Sequence, residues 1–85
     1  MTSLTESQFT DSDLAGLLLA VGAEPPVGPA VFDESFAGLD LDSLARTEIA
    51  ARVSDRWGVD VEDSLTPETT PADLRRLVLT AVTPR

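Results

Sequence analysis

Apolar residues along this chain recur in three helical patterns, separated by stretches with no period. Leu14, Leu17, Leu18 and Val21 fall at i, i+3, i+4 and i+7, which puts four side chains on one face of an α-helix. Thr10-Asp11-Ser12-Asp13 precedes them, offering N-cap candidates and early carboxylates suited to the positive end of a helix dipole. Gly22 should end this helix, and Gly16 inside it costs about 1 kcal/mol relative to Ala, so the helix depends on packing. The second pattern, Leu44 to Trp57, contains no Gly or Pro. Ile49, Ala50, Val53 and Trp57 form a stripe expected to face a core; Leu44, Thr47 and Ala51 form a shallower one beside it, and Gly58 is the expected stop. The third pattern opens on Thr70-Pro71-Ala72-Asp73, a Thr cap with Pro at the first helical position and a carboxylate three residues after the cap. Leu74, Leu77, Val78 and Ala81 follow at helical spacing.

The connections are unequal. Gly22 to Asp42 is a run of about 20 residues, long for a compact domain and characteristic of functional or disordered loops. Pro25, Pro26, Gly28 and Pro29 oppose regular structure in its first half, whereas Phe32, Phe36, Leu39 and Leu41 return as apolar anchors. A loop packed across the bundle is expected, with a helical turn near Asp33–Ala37. Val59-Asp60-Val61 reads as an extended connector leading to a short helix around Glu62–Leu65. The pattern therefore predicts an all-α fold: a small bundle of three main helices plus one short helix, with a long loop between the first and second. Residues 1–9 read as a polar, flexible N-terminus, 10–82 as the domain and 83–85 as a tail.

Composition narrows the chemistry. With 85 residues there is one domain and one small core. The chain has no Cys, His, Lys or Tyr, which removes disulfides, thiolate metal sites, the usual general base and any Ser/His constellation. Catalysis by this chain alone is not expected, nor is a metal site of its own. The net charge is −9, and every arginine lies at or beyond Arg46 while residues 1–42 carry only acids. Such a chain repels phosphate backbones and anionic lipids, so neither nucleic acid nor membrane is an expected partner. No apolar run has spanning length, which predicts a cytoplasmic protein, expected to be a monomer.

Asp42-Ser43-Leu44 stands where the aperiodic loop meets the second helix. A serine there is exposed, with neighbours held by the helix, and suits modification by another protein. Capping alone also explains it, because Asp42 and Ser43 can each accept from the first N–H groups of the helix. The wider pattern Asp33-x-x-Phe36-x-x-Leu39-x-x-Asp42-Ser43-Leu44 resembles the signature of acyl carrier proteins. The resemblance extends through Glu48, the Val53/Trp57 stripe and the capped last helix, over roughly residues 11–82. The stretch Ala51-Arg52-Val53-Ser54-Asp55-Arg56-Trp57-Gly58-Val59 is most similar to the discrete carriers of bacterial type II polyketide synthases.

That resemblance implies a non-enzymatic carrier for polyketide, including antibiotic, biosynthesis. In it Ser43 bears 4′-phosphopantetheine from coenzyme A, carrying acyl units as thioesters. It implies as partners a phosphopantetheinyl transferase, a malonyl-loading acyltransferase, a ketosynthase and tailoring enzymes, meeting Asp42, Leu44, Arg46, Thr47, Glu48 and Ala51. Asp42 would also assist the magnesium ion used during modification. The chain departs from the family in having Asp40 where many members have Gly. Its second helix also mixes Arg46, Arg52 and Arg56 with Asp42, Glu48 and Asp55 instead of presenting an acidic stripe. Exposed i, i+4 pairing accounts for those arginines as well as partner recognition does. An aminoacyl carrier and a non-enzymatic acidic interaction domain remain the alternatives. Small Thr47, Ala50 and Ala51, facing a movable wall of Phe36, Leu39 and Leu41, could admit an apolar cargo chain, although small residues also simply allow close helix packing.

Overall fold

The computed structural model describes residues 9–82. Among these residues it is all-helical: α1 (Asp11–Ala20), α2 (Ser43–Trp57) and α3 (Pro71–Val82), with two single 3₁₀ turns at Pro29–Val31 and Glu62–Ser64. The residues read as a flexible leader lie outside the described range except Phe9, and so does the tail beyond Val82.

Each helix begins and ends as its local chemistry dictates. Thr10 and Asp13 form a reciprocal capping box, Thr10 Oγ1 accepting from Asp13 N at 3.1 Å and Asp13 Oδ2 from Thr10 N at 3.0 Å. Thr70 and Asp73 repeat that arrangement at the start of α3. The backbone donation within each box, joined at Asp73 by the Arg76 guanidinium, holds both carboxyls below their ordinary range; for Asp13 the Thr10 N–H is the main cause, for Asp73 the Arg76 side chain. At the far end of α2, Gly58 takes φ 71°, a left-handed conformation that costs glycine nothing, and its N–H closes on Ser54 O.

The core gathers Leu14 and Leu18 of α1, Ile49, Ala50 and Val53 of α2, and Leu74 and Val78 of α3. Phe32, Phe36 and Leu41 join it from the long loop, and Val59, Val61 and Leu65 from the connector. No buried side-chain nitrogen or oxygen among the described residues lacks a hydrogen-bond partner. Of the third stripe, Leu77 is 37% exposed and Ala81 is exposed, while Leu79 packs against the core instead.

Three details differ from the sequence pattern. Phe9, counted there with the polar leader, is fully buried and stacks on Trp57, with ring centroids 4.2 Å apart and planes 5° from parallel. Trp57 is consequently half-buried at the bundle's end and covered by Phe9 and Arg56, not inserted in the centre. The 3₁₀ turn of the long loop sits at Pro29–Val31, because proline with its fixed φ favours the first position of a helical turn even though it ends longer helices. Residues 36–41 form a separate tight turn in which Leu41 N donates to Phe36 O at 2.8 Å.

Candidate functional site

The site is where the long loop hands over to α2, and three constraints fix that junction. Phe36 N donates to Thr69 O at 2.8 Å and Ala37 N to Pro67 O at 3.0 Å, tying the loop to the segment that precedes α3. Phe36 and Leu41 are buried at the two ends of the tight turn. Between them Gly38 sits in a tight place, where a Cβ would come within 3.1 Å of Glu34 Oε1 and 3.2 Å of Ser35 Oγ and oblige those neighbours to give slightly. Asp40 then takes φ 62°, a left-handed conformation that only Gly adopts freely and that Asp and Asn tolerate better than other residues. Asp40 thus holds a backbone conformation that suits glycine, the residue the resemblance led one to expect at this position.

The turn delivers Asp42 as the N-cap of α2, its Oδ1 accepting from Ala45 N at 2.9 Å. The open choice between Asp42 and Ser43 as the cap falls to Asp42. Ser43 becomes the first helical residue, exposed, with no hydrogen bond to its hydroxyl among the described residues. The N–H groups of Ser43 and Leu44, at the helix start, have no carbonyl of the helix to meet. The Ser43 hydroxyl is thus accessible at the helix start, next to the Asp42 cap. An anion on that oxygen would meet free N–H groups and the positive end of the helix dipole. The second carboxylate oxygen of Asp42 has no hydrogen-bond partner among the described residues.

The residues that the sequence placed in partner contact divide into two groups. Leu44, at 76% exposure, lies on the solvent face of α2 with Thr47, Glu48 and Ala51, all exposed. Thr47 Oγ1 donates back to Ser43 O at 3.0 Å, and Glu48 pairs with Arg52 at 3.0 Å. Arg46 departs from this face: it is half-buried, and its NH1 donates to Leu41 O at 3.1 Å, across the loop–helix junction. Of the arginines read as i, i+4 pairs, only Arg52 forms one; Arg56 instead reaches Asp13 of α1 at 3.0 Å. The Arg46–Leu41 bond had no signal in the sequence, since it joins a side chain to a backbone carbonyl, whose direction no side-chain pattern encodes.

The residues that could wall a cargo cleft are otherwise engaged here. Phe36 and Leu41 are spent in the core, the loop that carries them is pinned to the α3 side, and Thr47 and Ala51 face solvent. Open space lies elsewhere. A shallow groove of about 410 Å³ separates the end of α1 at Ala20–Gly22 from Asp42, Leu44, Ala45 and Glu48. A wider one of about 610 Å³ runs between the connector at Val59–Val61 and the outer side of α3, away from Ser43.

The model of the family described as a phosphopantetheine attachment site matches residues 10–78, most of the chain and both sides of the Ser43 junction. The chain belongs to that family. It is therefore a carrier that bears covalent 4′-phosphopantetheine, holds acyl or peptidyl groups on it, and is modified and used by partner enzymes rather than acting as a catalyst. A phosphopantetheinyl transferase and acyl-handling enzymes are the general partners of such carriers. No curated protein and no solved structure matches the chain. Among the described residues no helix is long and apolar enough to cross a membrane.

Proposed function

We propose that Ser43 is the attachment residue of this carrier and that the carrier serves polyketide assembly. The observation behind the first part is the exposed, unbonded hydroxyl at the first position of α2, held between an Asp42 cap and a loop fixed at both ends. In the modification, Ser43 Oγ bonds to the phosphorus nearest the pantetheine of coenzyme A, adenosine 3′,5′-bisphosphate leaves, and the transferase takes the hydroxyl proton. Asp42 offers its free carboxylate oxygen to the magnesium ion of that reaction. Once attached, the group supplies a thiol that carries acyl units as thioesters; the chain's own part is to present and orient its root.

The polyketide assignment draws on the resemblance of residues 51–59 to type II polyketide carriers and on the mixed charge of α2. A partner that docks on Leu44, Thr47, Glu48 and Ala51 meets Arg52 beside Glu48, so a uniformly basic docking surface is a poor match. A specialised malonyl-loading acyltransferase and ketosynthase, followed by tailoring enzymes, fit better than housekeeping fatty-acid enzymes.

Coexpression with a promiscuous phosphopantetheinyl transferase and intact-mass measurement tests the site. One phosphopantetheine is expected on the wild type and none on Ser43→Ala, whose lost side chain should leave helical content unchanged. Attachment that survives in Ser43→Ala refutes the assignment. Offering the holo protein to a malonyl-loading acyltransferase and to an amino-acid-activating enzyme then separates the polyketide carrier from an aminoacyl carrier, and no attachment at all would leave an acidic interaction domain.

A further inference from the structure

Arg46 is singular among the arginines of the described residues. Arg52 pairs with Glu48, Arg56 with Asp13, Arg75 with Asp11 and Arg76 with Asp73, at 2.7–3.0 Å. Among the described residues Arg46 has no carboxylate partner, and its hydrogen bond is the NH1 donation to Leu41 O. A guanidinium has five N–H donors in a planar fork, so most of its capacity is unspent although the residue is half-buried. Its position is also unfavourable for a cation. It lies in the first turns of α2, where the helix dipole is positive and no acidic residue follows the cap.

The direction of the side chain explains what that charge is for. Helical side chains lean toward the N-terminus, and Arg46 does so far enough to reach the carbonyl of Leu41, five residues back. Its guanidinium therefore lies back toward the start of α2, and Ser43, three residues before Arg46 on the helix, is a lateral neighbour, with Cβ atoms about 5–6 Å apart at that spacing. We propose that Arg46 binds the phosphodiester carried by Ser43, using the donors left free by Leu41 to hold the root of the prosthetic arm against α2. The Leu41 bond keeps the fork in place before the arm arrives. The phosphodiester supplies an anion for this cation, and Arg46 adds to the helix N-terminus a charge that offsets the neighbouring acids Asp40 and Asp42. The proposal rests on Ser43 as the attachment residue, and it assigns Arg46 to the carrier's own arm in place of a partner's surface.

The test compares apo and holo protein, with attachment to Ser43 first verified by mass and by its absence in Ser43→Ala. In nitrogen-edited NMR, the Arg46 Nε–Hε signal should shift from apo to holo, while those of Arg52, Arg56, Arg75 and Arg76 stay in place. The shift should shrink as salt is added, because an ion pair at the surface is screened. The phosphorus resonance of the holo protein should be displaced in Arg46→Gln and lie closer to the wild type in Arg46→Lys, which keeps the charge but loses the fork. An unmoved Arg46 signal on a protein verified as modified at Ser43, or a salt-independent shift with an unchanged phosphorus resonance in Arg46→Gln, overturns the proposal and leaves the attachment site standing. Attachment elsewhere overturns both. Should Arg46→Gln fail to fold, the salt series on wild-type apo and holo protein decides alone.

Discussion

Replacing Phe9 by alanine should destabilise this carrier far more than a change at the margin of a domain ordinarily does. Phe9 stands before the first helix, yet its ring is 0% exposed and lies flat on Trp57. Truncating a fully buried phenylalanine costs about 3–5 kcal/mol, and the stacked geometry contributes about 0.5–1.5 kcal/mol of that loss. At 0.05–0.15 kcal/mol per residue, a domain of this size is stable by only roughly 4–13 kcal/mol, so the change removes between a quarter and all of it. Urea unfolding followed by far-ultraviolet circular dichroism measures the loss independently of Trp57, whose native emission changes when its neighbour is removed. With a urea slope of about 1 kcal/mol per molar for a chain this short, the midpoint should fall by roughly 3–5 M or the protein should be unfolded outright. Phe9→Leu, which keeps most of the volume, should cost less than about 1.5 kcal/mol and stay folded. A double-mutant cycle with Trp57→Leu should return a coupling of about 0.5–1.5 kcal/mol. A loss below about 1 kcal/mol for Phe9→Ala, the size of an ordinary surface change, would refute the reasoning and return the domain boundary to Thr10.

Further outcomes are expected at the site and at the helix ends. Asp40→Gly should leave stability unchanged or raise it by up to about 1 kcal/mol, and Asp40→Val should lower it by about 1–2 kcal/mol, because the φ of 62° suits glycine and opposes a β-branched residue; thermal melts check both. Leu44→Asp should alter stability by no more than about 0.5 kcal/mol yet slow loading by a malonyl-loading acyltransferase, and unfolding of that variant would place Leu44 in the core. The acid limb of the stability curve should carry the two capping boxes. Asp13 and Asp73 have folded-state pKa values below the ordinary 3.8, so their contribution is complete above that value and is lost as the pH falls through the lowered ones. Asp13→Asn and Asp73→Asn should therefore flatten the loss of stability below about pH 4, and an unchanged slope in urea titrations across that range would contradict the assignment.

Local chemistry was enough to predict all three helices. Each is bounded by residues whose preferences act over three or four positions: the Thr10/Asp13 and Thr70/Asp73 boxes, Asp42 before α2, and Gly58 after it. The stripe of Ile49, Ala50 and Val53, and the exposure of Leu44, likewise followed from helical spacing, since one helix face can be buried only if the other is not. The candidate serine was legible for the same reason, as a hydroxyl at a helix start within a spaced set of residues. Tertiary structure decided what joins segments distant in sequence or depends on a backbone direction. Phe9 meets Trp57 only because α1 and α2 pack so that the chain entering one lies against the end of the other. Phe36 and Leu41 lie in the core on a loop that hydrogen bonds to Thr69 and Pro67 hold on the α3 side, while Thr47 and Ala51 face solvent. Arg56 found Asp13 across a helix interface instead of a neighbour on its own helix. Arg46 turned to the backbone carbonyl of Leu41, a partner that no hydrophobic pattern encodes.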